Sequence, residues 1–252
     1  QLLGLQRAIP RAWSWRWPLV HGNPLLALVI IKADNAVLEK IPTIMLQLLS
    51  TVCLALLLSG CGGDQPFYQA LEPGATVLAF GDSITYGTGA ARGQGYPENL
   101  AMALDWEVVN AGIPGEQASQ GKQRITPALA EHQPALVIIE LGGNDFLRKR
   151  PAVKVKEDLR HIISEVRRSG AVPVLVAVPR LSLARATMGL LKDSPIYAEL
   201  AEEEAVLLFA DRLSAILSDQ DLVADRIHPN ADGYARMASE LAAFMRSHGL
   251  AP

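Results

Sequence analysis

From residue 76 onward, apolar and polar positions alternate between two patterns. Short unbroken apolar runs end in Gly, Asn or Asp. Between them lie longer stretches whose apolar residues recur every three or four positions. The first pattern reads as buried strands and the second as amphipathic helices. Strands are expected at 77–80, 106–110, 135–141, 172–178 and 206–209. The clearest is 135–141, Ala-Leu-Val-Ile-Ile-Glu-Leu, a continuous run rich in β-branched residues of the kind a parallel sheet buries on both faces. Helices are expected at 96–104, 120–130, 153–169, 194–203 and 230–248, with Pro127 interrupting the second early. In 153–169, Leu159, Ile162, Ile163 and Val166 share one face and Gly170 follows as a stop. In the last helix Asn230 is placed to cap the N-terminus, and Tyr234, Met237, Leu241 and Phe244 face inward. Strand and helix in repeated alternation imply an α/β fold, a five-stranded parallel sheet between two helical layers. Ligands of such sheets bind beyond the carboxyl ends of the strands, so the loops after strands are where chemistry is sought.

Composition narrows the class. The chain has 252 residues, enough for one domain of ordinary size. Half of them are apolar, and the net charge of −3 offers no basic excess for a nucleic-acid partner. Cys53 and Cys61, the two cysteines, both precede the alternating region. No disulfide framework or cysteine metal site is therefore expected in the domain.

The segment before residue 76 follows neither pattern. Residues 46–58 form an apolar run too short to span a bilayer comfortably but suited to a signal-peptide core. The run ends in Leu58-Ser59-Gly60-Cys61, which resembles the lipobox of bacterial lipoproteins. That resemblance implies cleavage before Cys61 and lipidation of its thiol. The domain would then be lipid-anchored on the periplasmic side of the envelope, with Gly62 compatible with the outer membrane. Upstream, Trp13, Trp15 and Trp17 are interleaved with Arg7, Arg11 and Arg16 without a regular period. The chain therefore divides into an upstream segment (1–44), a signal peptide starting near Met45 (45–60), a tether (61–73) and a folded domain (74–252).

Four loops carry candidate chemistry. Gly81-Asp82-Ser83 follows the first strand, and Asn110-Ala111-Gly112-Ile113-Pro114-Gly115 the second. Gly142-Gly143-Asn144-Asp145 follows the third, and Asp225-Arg226-Ile227-His228-Pro229-Asn230 precedes the last helix. Gly81 permits a tight turn. Ser83 then stands where a strand passes into a helix N-terminus, a place that favours negative charge. A serine there can attack a carbonyl once a base takes its proton.

These four blocks, in this order, resemble those of the SGNH hydrolases, also called GDSL esterases. The likeness runs from about residue 76 to the C-terminus and is strongest to the branch of thioesterase I/lysophospholipase and the arylesterases. Ile84 and Thr85 depart mildly from the Leu and Ser of that pattern. The resemblance implies a flavodoxin-like fold and acyl-ester hydrolysis without metal or organic cofactor. It implies Ser83 as nucleophile, His228 as general base and Asp225 as the group that orients the imidazole. It implies an oxyanion hole of the Ser83 N–H, the Gly112 N–H and the Asn144 side-chain amide. A Cβ at position 112 would crowd the substrate oxygen. Asp82 and Asp145 are assigned to loop structure, so that Gln or Asn at either position would leave activity largely intact. Residues 180–194, with Leu181, Leu183, Met188, Leu190 and Leu191 beside Arg180 and Arg185, lie where the family covers its substrate. They read equally as an acyl wall or as an ordinary amphipathic segment.

The expected substrate is an acyl ester, thioester or lysophospholipid. A carbohydrate O-deacetylase is the alternative within the family, and acyl-length preference separates the two. A non-catalytic binding module would more often have lost one of these residues. A flavin or nucleotide binder shares the architecture, but no Gly-x-Gly-x-x-Gly or phosphate-loop pattern follows the first strand.

Overall fold

Each of the five apolar runs after residue 76 becomes a strand. The computed structural model describes residues 68–180 and 190–252, all within one unit spanning Asp64–Pro252. Cys61, the upstream segment, the signal peptide, most of the tether and residues 181–189 lie outside the described residues. The strands are β1 (Thr76–Gly81), β2 (Glu107–Gly112), β3 (Leu136–Glu140), β4 (Val172–Val176) and β5 (Leu207–Phe209). All pairings are parallel, in the order β2-β1-β3-β4-β5. Val77 to Phe80 and Leu136 to Ile139 have no exposed surface. Each Val, Leu, Ile and Phe side chain among them contributes about 1.5–3 kcal/mol through burial.

The helices are α1 (Ser83–Tyr86), α2 (Tyr96–Leu104), α3 (Ala118–His132), α4 (Gly143–Leu147), α5 (Ala152–Arg168), α6 (Pro195–Glu204), α7 (Arg212–Ser218) and α8 (Ala231–Ser247). α8 packs on α2 and α7 in one layer, while α5 packs on α3 and α6 in the other. Asn230 caps α8 as expected, its Oδ1 accepting from the Gly233 N–H at 2.9 Å.

Five elements differ from expectation. Helix α3 runs unbroken through Pro127. Pro127 lies on the exposed side while Ile125, Ala128 and Leu129 keep the core face, so the backbone disruption proline causes is turned to water. Strand β2 continues to Gly112, beyond the expected end at Asn110. The short helices α1, α4 and α7 are too brief to give a periodic signal of their own. At the domain's start, Leu71 donates its N–H to the Leu250 carbonyl at 2.9 Å, and Tyr68 and Leu71 pack against the core.

Candidate active site

Sheet register brings the loops together. Gly81 at the end of β1 pairs with Gly112 of β2 on one side and Glu140 of β3 on the other. Three strands thus finish level, and the segments that follow them share one edge. The approach is close enough to demand glycine twice. A Cβ on Gly81 would collide with Thr85 Oγ1 and the Glu140 carbonyl, and one on Gly112 with the Thr85–Tyr86 backbone.

Asp82 caps α1, its Oδ1 accepting the Ile84 N–H at 3.1 Å. Ser83 opens that helix, and its N–H makes no hydrogen bond among the described residues. Ser83 Oγ stands 3.0 Å from His228 Nε2, and His228 Nδ1 stands 2.8 Å from Asp225 Oδ2. Because the Asp225 carboxylate can only accept, the Nδ1 proton faces it and the Nε2 lone pair faces the serine hydroxyl. Burial pushes the Asp225 carboxyl up, but the hydrogen bond from His228 and the N–H groups of Ile227 and His228 together hold it below its ordinary value.

The loop that carries this pair closes on itself. Asp225 Oδ1 accepts from the N–H groups of Ile227 at 2.8 Å and His228 at 2.9 Å. The Ala224 N–H donates to the His228 carbonyl at 3.0 Å, and Val223 bridges to Pro229. Two contacts lean it on the segment after α1. Tyr234 donates its hydroxyl to the Thr88 carbonyl at 2.7 Å. Gly89, at φ +101°, approaches the Pro229 carbonyl so closely that a Cβ would collide with it.

Asn144, in α4, donates its Nδ2 to Asp82 Oδ2 at 2.9 Å. The preceding turn is set by Gly142 at φ +124°, where a Cβ would meet the Tyr197 hydroxyl. That hydroxyl donates to the Leu141 carbonyl at 2.7 Å. Asp145 is structural: it accepts the Ala118 N–H at 2.9 Å, starting α3, and pairs with Arg150 at 2.8 Å.

Gly112 is placed otherwise than its expected role requires. Its N–H donates to Asn110 Oδ1 at 3.1 Å, and what a Cβ would crowd is α1 rather than a substrate. The open donor of this loop belongs to Gly115. Ile113, Pro114, Gly115 and Glu116 form a turn closed by Glu116 N–H to Ile113 C=O at 3.1 Å. Proline in second place and a glycine at φ +81° in third make it type II. The Gly115 N–H has no partner among the described residues, and a Cβ there would find nothing nearer than 3.9 Å. Arg124 pins the turn, with two hydrogen bonds to Glu116 at 2.9 and 2.6 Å and one to the Ala111 carbonyl at 3.0 Å. Its guanidinium lies 4.0 Å over the Phe80 ring. The adjacent Pro114-Gly115 pair was the available sequence signal for this turn.

Of the expected acyl wall, Leu190 is exposed and Leu191 buried, its N–H donating to Ser218 Oγ at 3.1 Å. Leu181, Leu183, Arg185 and Met188 lie outside the described residues. Among the described residues no helix is long and apolar enough to cross a membrane, and no His, Cys, Asp and Glu cluster is arranged to hold a metal.

Comparison with known proteins agrees with this fold. Residues 79–236 match the GDSL-like Lipase/Acylhydrolase family. Esterase TesA of Pseudomonas aeruginosa is 34% identical over 181 residues, covering 69% of this chain and 89% of that protein. Thioesterase 1/protease 1/lysophospholipase L1 of Escherichia coli K12 is 34% identical over 170 residues, covering 66% and 81% respectively. A crystal structure of TesA superposes with a TM-score of 0.61 at 31% identity, covering 69% of this chain and 99% of that one. Four loops brought to one sheet edge, a family match across most of the domain and relatives that are esterases lead to one conclusion: this chain belongs to the GDSL-like lipase/acylhydrolase family and is a carboxylic ester hydrolase.

Proposed function

We propose that this hydrolase works through an acyl-enzyme on Ser83, with His228 as general base and acid and Asp225 orienting the imidazole. The observation that carries the reading is the unbroken chain from Asp225 Oδ2 through His228 to Ser83 Oγ, at 2.8 and 3.0 Å. His228 Nε2 takes the Ser83 proton as Oγ attacks the ester carbonyl carbon, and the carbonyl electron pair moves to oxygen. The resulting oxyanion is met by the Ser83 N–H and the second N–H of the Asn144 amide, whose first is held by Asp82. The third donor is the Gly115 N–H, since that of Gly112 is engaged by Asn110. Collapse expels the alcohol or thiol, which takes the proton from His228. Water then repeats the sequence: His228 accepts its proton, hydroxide adds to the acyl carbon, and Ser83 Oγ departs reprotonated.

The substrate class proposed is an acyl ester, including thioesters and lysophospholipids, in keeping with the activities named for the Escherichia coli relative. Hydrolysis of p-nitrophenyl acetate, butyrate, octanoate and palmitate by the full chain tests the mechanism beside Ser83→Ala. The variant is expected to lose at least about 10³-fold in turnover, and retained activity would refute a serine nucleophile. Preference for the longer acyl chains supports the lipid reading, and acetate alone would contradict it.

Cys61 is proposed as the site of a lipid anchor that holds the domain on the periplasmic face of a bacterial envelope. What supports it is an apolar run ending in Leu-Ser-Gly-Cys. Two acyl chains give stable membrane attachment where one does not. Metabolic labelling with an alkynyl fatty acid is expected to mark the wild-type protein and to leave Cys61→Ser unlabelled; equal labelling of both would dismiss the anchor.

A further inference from the structure

Beneath the serine turn lies a run of buried polar groups that the hydrolytic steps do not use. Tyr96, Thr85 and Glu140 have no exposed surface. Thr85 Oγ1 donates to Glu140 Oε2 at 3.0 Å. That bond uses its only hydrogen, so the Tyr96 hydroxyl, 3.0 Å from the same oxygen, must be the donor to Thr85. The other Glu140 oxygen, Oε1, is buried without a donor. The Glu140 carboxyl meets that of Asp82, whose two oxygens accept the Ile84 N–H and the Asn144 amide.

Two buried carboxylates in contact repel unless a proton or a cation lies between them. The titratable groups that bear on Glu140 are Asp82, Tyr96, Tyr197 and Tyr234, none of which supplies a positive charge; His228, the group of the pair's surroundings able to carry one, acts on Asp82. One shared proton removes the repulsion and gives the unpartnered oxygen its hydrogen bond. The Ile84 N–H, the Asn144 amide and His228 favour the charged form of Asp82, whereas that of Glu140 is favoured by the Thr85 hydroxyl and the Asp82 N–H but opposed by the Asp82 charge. The proton therefore belongs on Glu140. Burial pushes both carboxyls up, Glu140 well above its ordinary range and Asp82 to about 6.

We propose that Glu140 is held as the neutral acid and donates its O–H to Asp82, completing a one-way hydrogen-bond chain from Tyr96 through Thr85 and Glu140 that fixes the Asn144 amide. This rests on the oxyanion role given to Asn144 above. With one amide N–H tied to Asp82, the second is aimed rather than free to rotate. The neutral acid also matters electrostatically. A second negative charge beneath the site would oppose the charge that develops on the substrate oxygen. Glu140, Thr85 and Tyr96 are thus positioning residues, and Asp82 does more than shape its turn.

Glu140→Gln separates this from a merely structural role. Its amide N–H can donate to Asp82 while its amide oxygen accepts from Thr85, which preserves the direction of the chain. Glu140→Ala is expected to lower kcat about 10–100-fold with KM little changed, and Glu140→Gln to recover most of that loss. Asp82→Asn is expected to lower kcat to a similar degree. Circular dichroism identifies variants that fail to fold. Infrared spectroscopy of the wild-type protein carrying carbon-13-labelled glutamate needs no variant. It should find the carbonyl band of one protonated, isotope-shifted glutamic acid at neutral pH.

Absence of that band overturns the proposal, as does a folded Glu140→Gln no more active than Glu140→Ala. Ser83→Ala, assayed alongside, keeps the two readings apart. If it is inactive while Glu140→Ala retains full activity, only the hydrogen-bond chain fails. If Ser83→Ala is active, the serine mechanism fails with it.

Discussion

The two halves of the site are held by different means. The serine half is continuous with the core. Ser83 follows a central strand, Asp82 and Glu140 are buried, and Asn144 is tied to Asp82. The histidine half stands outside the sheet. Asp225 has about half its side chain exposed, at 54%, and its loop is kept in shape by hydrogen bonds to its own backbone. Sheet register and burial position one half, and local closure positions the other. The halves meet at the Ser83–His228 hydrogen bond and at two supports, Tyr234 on Thr88 and Gly89 against Pro229. A catalytic geometry can thus be secured without burying all of it, provided the exposed part is rigid by itself and docked at a few points.

The most damaging way to break the comparison acts within the exposed half. Asp225→Asn keeps the size of the side chain but can no longer favour the required imidazole tautomer. Turnover on p-nitrophenyl esters is expected to fall about 10³–10⁴-fold, with the melting temperature little changed because the group is half exposed. A smaller effect is expected from separating the halves. Gly89→Ala puts a Cβ into the Pro229 carbonyl at a backbone angle unsuited to alanine. A loss of about 1–3 kcal/mol in stability should accompany a fall in kcat as His228 withdraws from Ser83. In a crystal structure of this variant the His228–Asp225 bond should persist while the Ser83–His228 bond lengthens. Loss of both would show that the loop is not rigid by itself.

The mildest test is pH, and it gives the halves opposite signs. Above about pH 4.5, the ordinary value for glutamate, an unfolded chain releases the Glu140 proton that the folded chain keeps. Folding then takes up a proton, so this group's contribution weakens as pH rises. Asp225 is held below its ordinary 3.8, so its contribution is present above that value and is lost as pH falls below it. The melting temperature of Glu140→Gln relative to wild type is therefore expected to rise from pH 4 to pH 7. For Asp225→Asn the difference should shrink below pH 3.8. Parallel curves for the two variants would remove the electrostatic distinction.

Much of this was legible in the sequence, and the exceptions share a cause. Apolar runs announce parallel strands because burial on both faces leaves little room for polar residues, and 135–141 shows this plainly. Three of the loops were recognisable because each needs turn-permissive residues at a strand end, and the fourth by its Asp and His just before a capped helix. What escaped notice depends on partners distant in the chain. Pro127 reads as an interruption until its exposed side is known. Gly112 and Gly115 are both turn glycines on paper; only the extension of β2 shows that the first is fitted against α1. Glu140 looks like the polar end of a strand, and Asp82 like turn chemistry. Neither residue states that the other lies beside it, because their meeting follows from the β1–β3 register.

The Leu71–Leu250 hydrogen bond has an engineering consequence. The first and last segments of the folded unit run side by side, so a short linker could join residue 252 to residue 68 and close the chain into a ring. Reopening that ring at the exposed Gly170, in the turn between α5 and β4, would give a permuted chain with every strand intact. In such a protein the serine would be encoded after the histidine while occupying the same place in space.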